Sequence, residues 1–147
     1  MTDTNFPAVA AAIRKTLEGQ GFTQLLGAQV VAVEPGVVVM AVGRRAELLQ
    51  QNGLFHGGVA AYLIDNATTA AAATVIDRAT RTVITAEYKI NLVSPSVGDR
   101  LTCRAEVVKP GRSLTVVEAK VHCRIDGTEK LVAVALATIA NLDLKGA

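Results

Sequence analysis

The chain has 147 residues, of which 50% are hydrophobic, 3% aromatic and 19% charged, and its net charge is +2. That length fits one domain with its own core, and the aliphatic content excludes disorder over most of it. Lys and Arg are scattered, with no run of like charge and few aromatics among them, so nucleic-acid binding has no support.

Met1 to Asn5 carries an acid and no apolar stretch, unlike a secretory signal. The protein is therefore expected to be soluble and cytoplasmic. Phe6, Val9, Ala10, Ile13 and Leu17 recur at helical spacing, and Gly19 and Gly21 close a short amphipathic helix, Phe6 to Leu17. Two runs rich in β-branched residues follow, Leu25 to Val33 and Val37 to Val42, joined by the turn Glu34-Pro35-Gly36. A polar loop then leads to His56.

Gly57 to Ile76 is almost wholly apolar, without an interior Pro, and reads as the one long helix of the domain. Apolar on all sides, it belongs inside the fold. Asp65, Asn66 and several Thr make it a poor bilayer span. Four strands are expected after it: Thr82 to Val93, Leu101 to Val108, Leu114 to Ile125 and Leu131 to Leu142. The separators Ser94 to Asp99, Lys109 to Arg112 and Asp126-Gly127 all have turn chemistry. The segments Val37 to Val42 and Leu131 to Leu136 are apolar on both faces, which predicts cover from another subunit.

The order helix, two strands, buried helix, four strands predicts an α+β domain in which a curved antiparallel sheet wraps the long helix. Cys103 and Cys123 lie on consecutive strands joined by a turn at Pro110-Gly111. A tight hairpin sets Cys103 opposite about residue 118 and leaves Cys123 about 17 Å along the strand, which predicts two free thiols. No Cys or His spacing suggests a metal site.

Within the buried helix, Asp65 is the one charge, and a buried carboxylate costs several kcal/mol unless something compensates it. Asn66, a sheet Thr or a place at a subunit seam would satisfy it structurally; a reaction would use it. At the entrance of the helix stands His56-Gly57-Gly58, where free backbone N–H groups and the helix dipole favour a developing oxyanion.

Together Asn52-Gly53-Leu54-Phe55-His56-Gly57-Gly58 and Leu63-Ile64-Asp65-Asn66 resemble the signature of hotdog-fold thioesterases, the branch of the phenylacetate-pathway thioesterase. The element order agrees over nearly the whole chain, and the resemblance implies an acyl-CoA thioesterase of hotdog fold. It implies that Asn52 and the Gly57 amide polarise the thioester carbonyl. Asp65 would activate water or attack directly, His56 would lie near the sulfur or fix the loop, and Thr85 would help to hold the water. Coenzyme A is the implied carrier, belonging to the substrate and not a cofactor. Lys109 and Arg112 are candidates for its phosphates, with Arg78 and Arg81 behind them.

Gly57 and Asp65 are eight residues apart, which on a helix is roughly 12 Å of rise and about 80° of rotation. One carbonyl does not easily meet both within one chain. A site shared between two subunits is expected, in a homodimer that assembles into a homotetramer, as the resemblance also implies. The alternatives are a hydratase or dehydratase on the same fold, and an acyl-CoA-binding module without turnover.

Overall fold

In a computed structural model of the protein, residues 5–144 are described. The elements are α1 (Phe6–Glu18), α2 (Gly21–Leu26), β1 (Gln29–Glu34), β2 (Val37–Gly43), α3 (Gly57–Ala73), β3 (Arg81–Leu92), β4 (Arg100–Lys109), β5 (Leu114–Ile125) and β6 (Thr128–Asp143). A 3₁₀ turn, Ala46–Leu48, interrupts the loop before α3.

The strands form one six-stranded antiparallel sheet in the order β1-β2-β4-β5-β6-β3. Alternation along β5 turns Thr115, Val117, Ala119, Val121 and Cys123 inward, and all are buried. Against that face lies α3, whose Leu63, Ile64, Ala67 and Ala71 have no solvent exposure. The many alanines let the strands approach the helix closely, so the wrapped-helix arrangement read from the sequence is the one observed.

Three sequence-based expectations need correction. The expected strand from Leu25 is instead the end of α2, and β1 begins only at Gln29. Short apolar runs fit helix or strand equally. Here Gly27, at φ 67°, caps a helical turn that Thr23 anchors through a 2.6 Å hydrogen bond to the Tyr62 hydroxyl. Second, α3 ends at Ala73 rather than Ile76, because the Thr74 hydroxyl donates to the Ala71 carbonyl and accepts the Gly36 N–H.

Third, the β4–β5 register differs. Cys103 pairs with Val121 and Cys123 with Leu101, so the two cysteines share a face two positions out of register rather than lying far apart. A connection wider than a tight hairpin and a bulge between Val107 and Lys109 cause the shift. Both thiols are free and buried.

Between Val37 and Val42, cover comes largely from within the chain: Val38, Met40, Ala41 and Val42 are all buried. On the outer face of the other half of the sheet, Leu114, Ala140 and Ile84 form a row across β5, β6 and β3. Leu114, Ile84 and the neighbouring Leu136 are about half exposed.

Candidate active site

The loop before α3 is held from several directions. Arg44 donates to the carbonyls of Gly53, Val97 and Gly98, at 2.6, 3.2 and 3.1 Å. Phe55 is buried, with its N–H on the Ser96 carbonyl at 3.0 Å, and the His56 N–H meets the Leu48 carbonyl at 2.9 Å. These bonds fix where α3 starts.

His56 is the N-cap of α3, and its Nδ1 accepts the Gly58 N–H at 2.9 Å. An Nδ1 that accepts carries no proton, so a neutral imidazole has its hydrogen on the outward Nε2. Gly57, the first residue of α3, has an N–H without an intrahelical acceptor. A Cβ at Gly57 would stand 3.1 Å from Leu92 Cδ1, so the absence of a side chain keeps this amide approachable.

Here a groove of about 390 Å³ opens, bordered by Gln50, Leu54, His56, Gly57, Leu92 and the Ser94–Ser96 segment. Asn52 does not line it. It lies exposed at the tip of the preceding turn, and its backbone N–H donates to Gln50 Oε1. Gln50, half-buried on the groove wall, is the amide that faces this space. Because its Oε1 already accepts an N–H, its Nε2 is left as the free donor of that amide. Sequence reasoning passed over Gln50: Gln50, Gln51 and Asn52 are three consecutive amides, and the Leu49↔Phe55 bridge with the Gln50 N–H on the Leu54 carbonyl decides which lines the groove.

Asp65 lies two turns along α3, half-buried beside β3. Thr85 Oγ1 donates to Asp65 Oδ1 at 2.7 Å. Thr69 Oγ1 lies 2.7 Å from Thr85 Oγ1, and since the proton of Thr85 is committed to the carboxylate, Thr69 is the donor. Asp65 Oδ2 has no partner among the described residues and is not buried, so it is open to water. The β3 bulge between Thr85 and Glu87 falls beside this hydroxyl, a common device for re-aiming a side chain.

Beyond Thr69 a second cavity of about 350 Å³ continues toward the C-terminal end of α3. It shares no lining residue with the groove at Gly57. Val83 borders one and Leu92 the other, nine residues apart on one strand, or about 30 Å. Within one chain, Gln50, His56 and Gly57 are therefore brought together, as are Asp65, Thr69 and Thr85, and the two groups stand apart.

Lys109 and Arg112 are exposed at the β4–β5 connection. The Arg81 guanidinium donates to the Arg112 carbonyl at 2.6 Å, so this connection sits by the cavity beyond Thr69 and not by His56. No helix among the described residues is long and apolar enough to cross a membrane.

Comparison with known proteins identifies the family and the fold. Residues 52–130 match the family described as the thioesterase superfamily. A 1,4-dihydroxy-2-naphthoyl-CoA hydrolase of Listeria monocytogenes is 31% identical over 120 residues, 82% of this chain and 94% of that protein. A thioesterase family protein from Silicibacter pomeroyi has a crystal structure that superposes with a TM-score of 0.88 at 33% identity, over 95% of this chain and 99% of the other. The fold alone is shared with the E. coli PaaI protein from the phenylacetic acid degradation operon, at a TM-score of 0.77 and 18% identity over 95% of each chain. The chain belongs to the thioesterase superfamily and has its hotdog fold.

Proposed function

We propose that the protein hydrolyses an acyl-CoA to the free acid and CoA, without a metal or redox cofactor, at a site formed by two subunits. The observation that carries the reading is Asp65, an uncharged helix's one carboxylate, oriented by Thr85 and open on Oδ2 toward water. A carboxylate so placed suits general-base activation of water or direct attack on a thioester. Gln50 Nε2 and the Gly57 N–H are the donors suited to the carbonyl oxygen, with His56 Nε2–H beside them. The backbone N–H of Asn52 then fixes the Gln50 amide. Lys109 and Arg112, exposed at the rim, suit the phosphates of CoA.

The shared site rests on the separation of the two groups and on β3. This strand is at the sheet edge and presents 12 residues without Pro, an edge that proteins rarely leave bare. Antiparallel pairing of β3 with its copy sets the Leu92 end of one subunit against the Arg81 end of the other. The Gly57 groove of one chain then approaches Asp65 of its partner. The row Leu114, Ala140 and Ile84 would pack against a second dimer, giving a homotetramer.

The test is release of free thiol from acyl-CoA, followed with a thiol reagent, in the native protein and in Asp65→Asn. Expected are turnover in the first and a loss of about 10²–10⁴-fold in kcat in the second, with the oligomer intact. Binding of acyl-CoA without thiol release would favour a binding module, and near-native kcat in the variant would remove Asp65 from the chemistry.

A further inference from the structure

The cavity beyond Thr69 has a chemical character of its own. Ile13, Leu17, Ala70, Ala73 and Val83 give it an apolar side, while Gln20, Asn66, Arg78 and Arg81 line it with polar and charged groups. Arg78 Nη1 is the one buried side-chain nitrogen or oxygen among the described residues that lacks a hydrogen-bond partner. Arg78 also has no ion pair there, whereas the neighbouring Arg81 is occupied by Asp143 at 3.1 Å and by the Arg112 carbonyl. A buried donor left unbonded is costly, and an arginine that lines a cavity without an ion pair is suited to a planar anion.

The position of the chamber fits an acyl subsite. Thr69 belongs both to its wall and to the hydroxyl chain that ends on Asp65. An acyl group attached at Asp65 enters it directly and runs along α3, about 6 Å from Thr69 to Ala73, before reaching the Arg78 end. With roughly 30 Å³ for each water-sized group, its 350 Å³ takes on the order of ten non-hydrogen atoms.

We propose that this cavity receives the acyl part of the substrate and that Arg78 binds an anionic group at its far end, so that the preferred substrates are acyl-CoAs whose acyl part carries a second carboxylate. This deepens the thioesterase reading and rests on it. Arg78 is then a specificity residue, paired with the substrate's distal carboxylate, while Lys109 and Arg112 remain outside at the rim.

The same guanidinium would also suit a phosphate of CoA, so the experiment varies the acyl end and the carrier separately. Hexanoyl and adipoyl thioesters, which differ in a terminal carboxylate, are compared on CoA and on N-acetylcysteamine, which has no phosphate. Expected is a preference for adipoyl of about tenfold or more in kcat/KM on both carriers. It is lost in Arg78→Met and partly kept in Arg78→Lys, with the adipoyl kcat/KM falling several-fold more than the hexanoyl kcat/KM on each carrier. No preference for adipoyl in the native protein overturns the proposal, and so does a loss in Arg78→Met that follows CoA whatever the acyl group.

Binding of free adipate and hexanoate to the native protein and to Arg78→Met, measured by calorimetry, separates this inference from the function beneath it. Adipate-selective binding that needs Arg78, in a protein that hydrolyses none of the four thioesters, upholds the cavity assignment and sinks the thioesterase. Turnover without selectivity does the reverse.

Discussion

Thr85 on the edge strand donates to Asp65 on the central helix at 2.7 Å, which ties the carboxylate to the strand that the proposed dimer would pair. The bond joins residues 20 apart in sequence and uses the proton of Thr85 while Thr69 supplies another behind it. Replacing Thr85 by Val keeps the shape and removes the donor. A hydrogen bond to a charged group is worth about 1.5–3 kcal/mol, so a loss of roughly tenfold or more in kcat is expected for Thr85→Val, with Thr85→Ser near native. Equal rates in all three proteins would make the hydroxyl incidental.

Mixed oligomers examine the shared site. Chains carrying Gln50→Ala and chains carrying Asp65→Asn, each inactive alone, are unfolded together and refolded. Random pairing makes about half of the dimers mixed, and each mixed dimer has one site with both residues intact, so about a quarter of native activity should return. A site built within one chain lacks one residue in every pairing and recovers nothing.

Two glycines should answer differently to Ala. At Gly98 a Cβ would fall 1.8 Å from the Arg124 carbonyl oxygen, on backbone that cannot step aside. Gly98→Ala is expected to cost about 3 kcal/mol or more, read by denaturant unfolding. At Gly57 the nearest atom is the mobile end of Leu92, at 3.1 Å. Gly57→Ala should fold with a nearly native Tm and lose kcat, because it crowds the amide and not the core.

Burial pushes the Cys103 thiol up to about 12, and burial also raises Cys123, partly offset by the Gly98 N–H on its sulfur at 3.2 Å. Neither thiol should react with a thiol reagent at pH 8 until the protein unfolds, so thiol release can be followed without background. The sign of the linkage follows from the raised folded value. The contribution of Cys103 to stability is complete below its ordinary value of 9.0 and is lost as pH rises toward about 12, so urea midpoints should fall across that range.

Local chemistry explains what was legible in the sequence. The turn Asp126-Gly127 adopts positive φ at both residues, 47° and 77°, and the alternation of β5 is the alternation of its burial. The apolar length of α3 foretold that one helix is buried, and its single carboxylate marked the residue that needs a partner. Leu25 and Leu26 were not legible in this way, because two apolar residues carry no period and the αL cap at Gly27 settled them.

By itself the sequence determined the order of the six strands around one buried helix, the helix entrance at His56-Gly57 and the rise that separates Gly57 from Asp65, since each follows from periodicity, turn residues or helix geometry. Tertiary structure alone decided that Thr85 is the partner of Asp65, that Gln50 and not Asn52 lines the groove, and that Arg78 Nη1 is buried without a hydrogen bond beside the cavity beyond Thr69. Those facts depend on register and on the path of a loop, where a shift of one residue turns a side chain to the other face. No local pattern fixes that choice; packing against distant strands does.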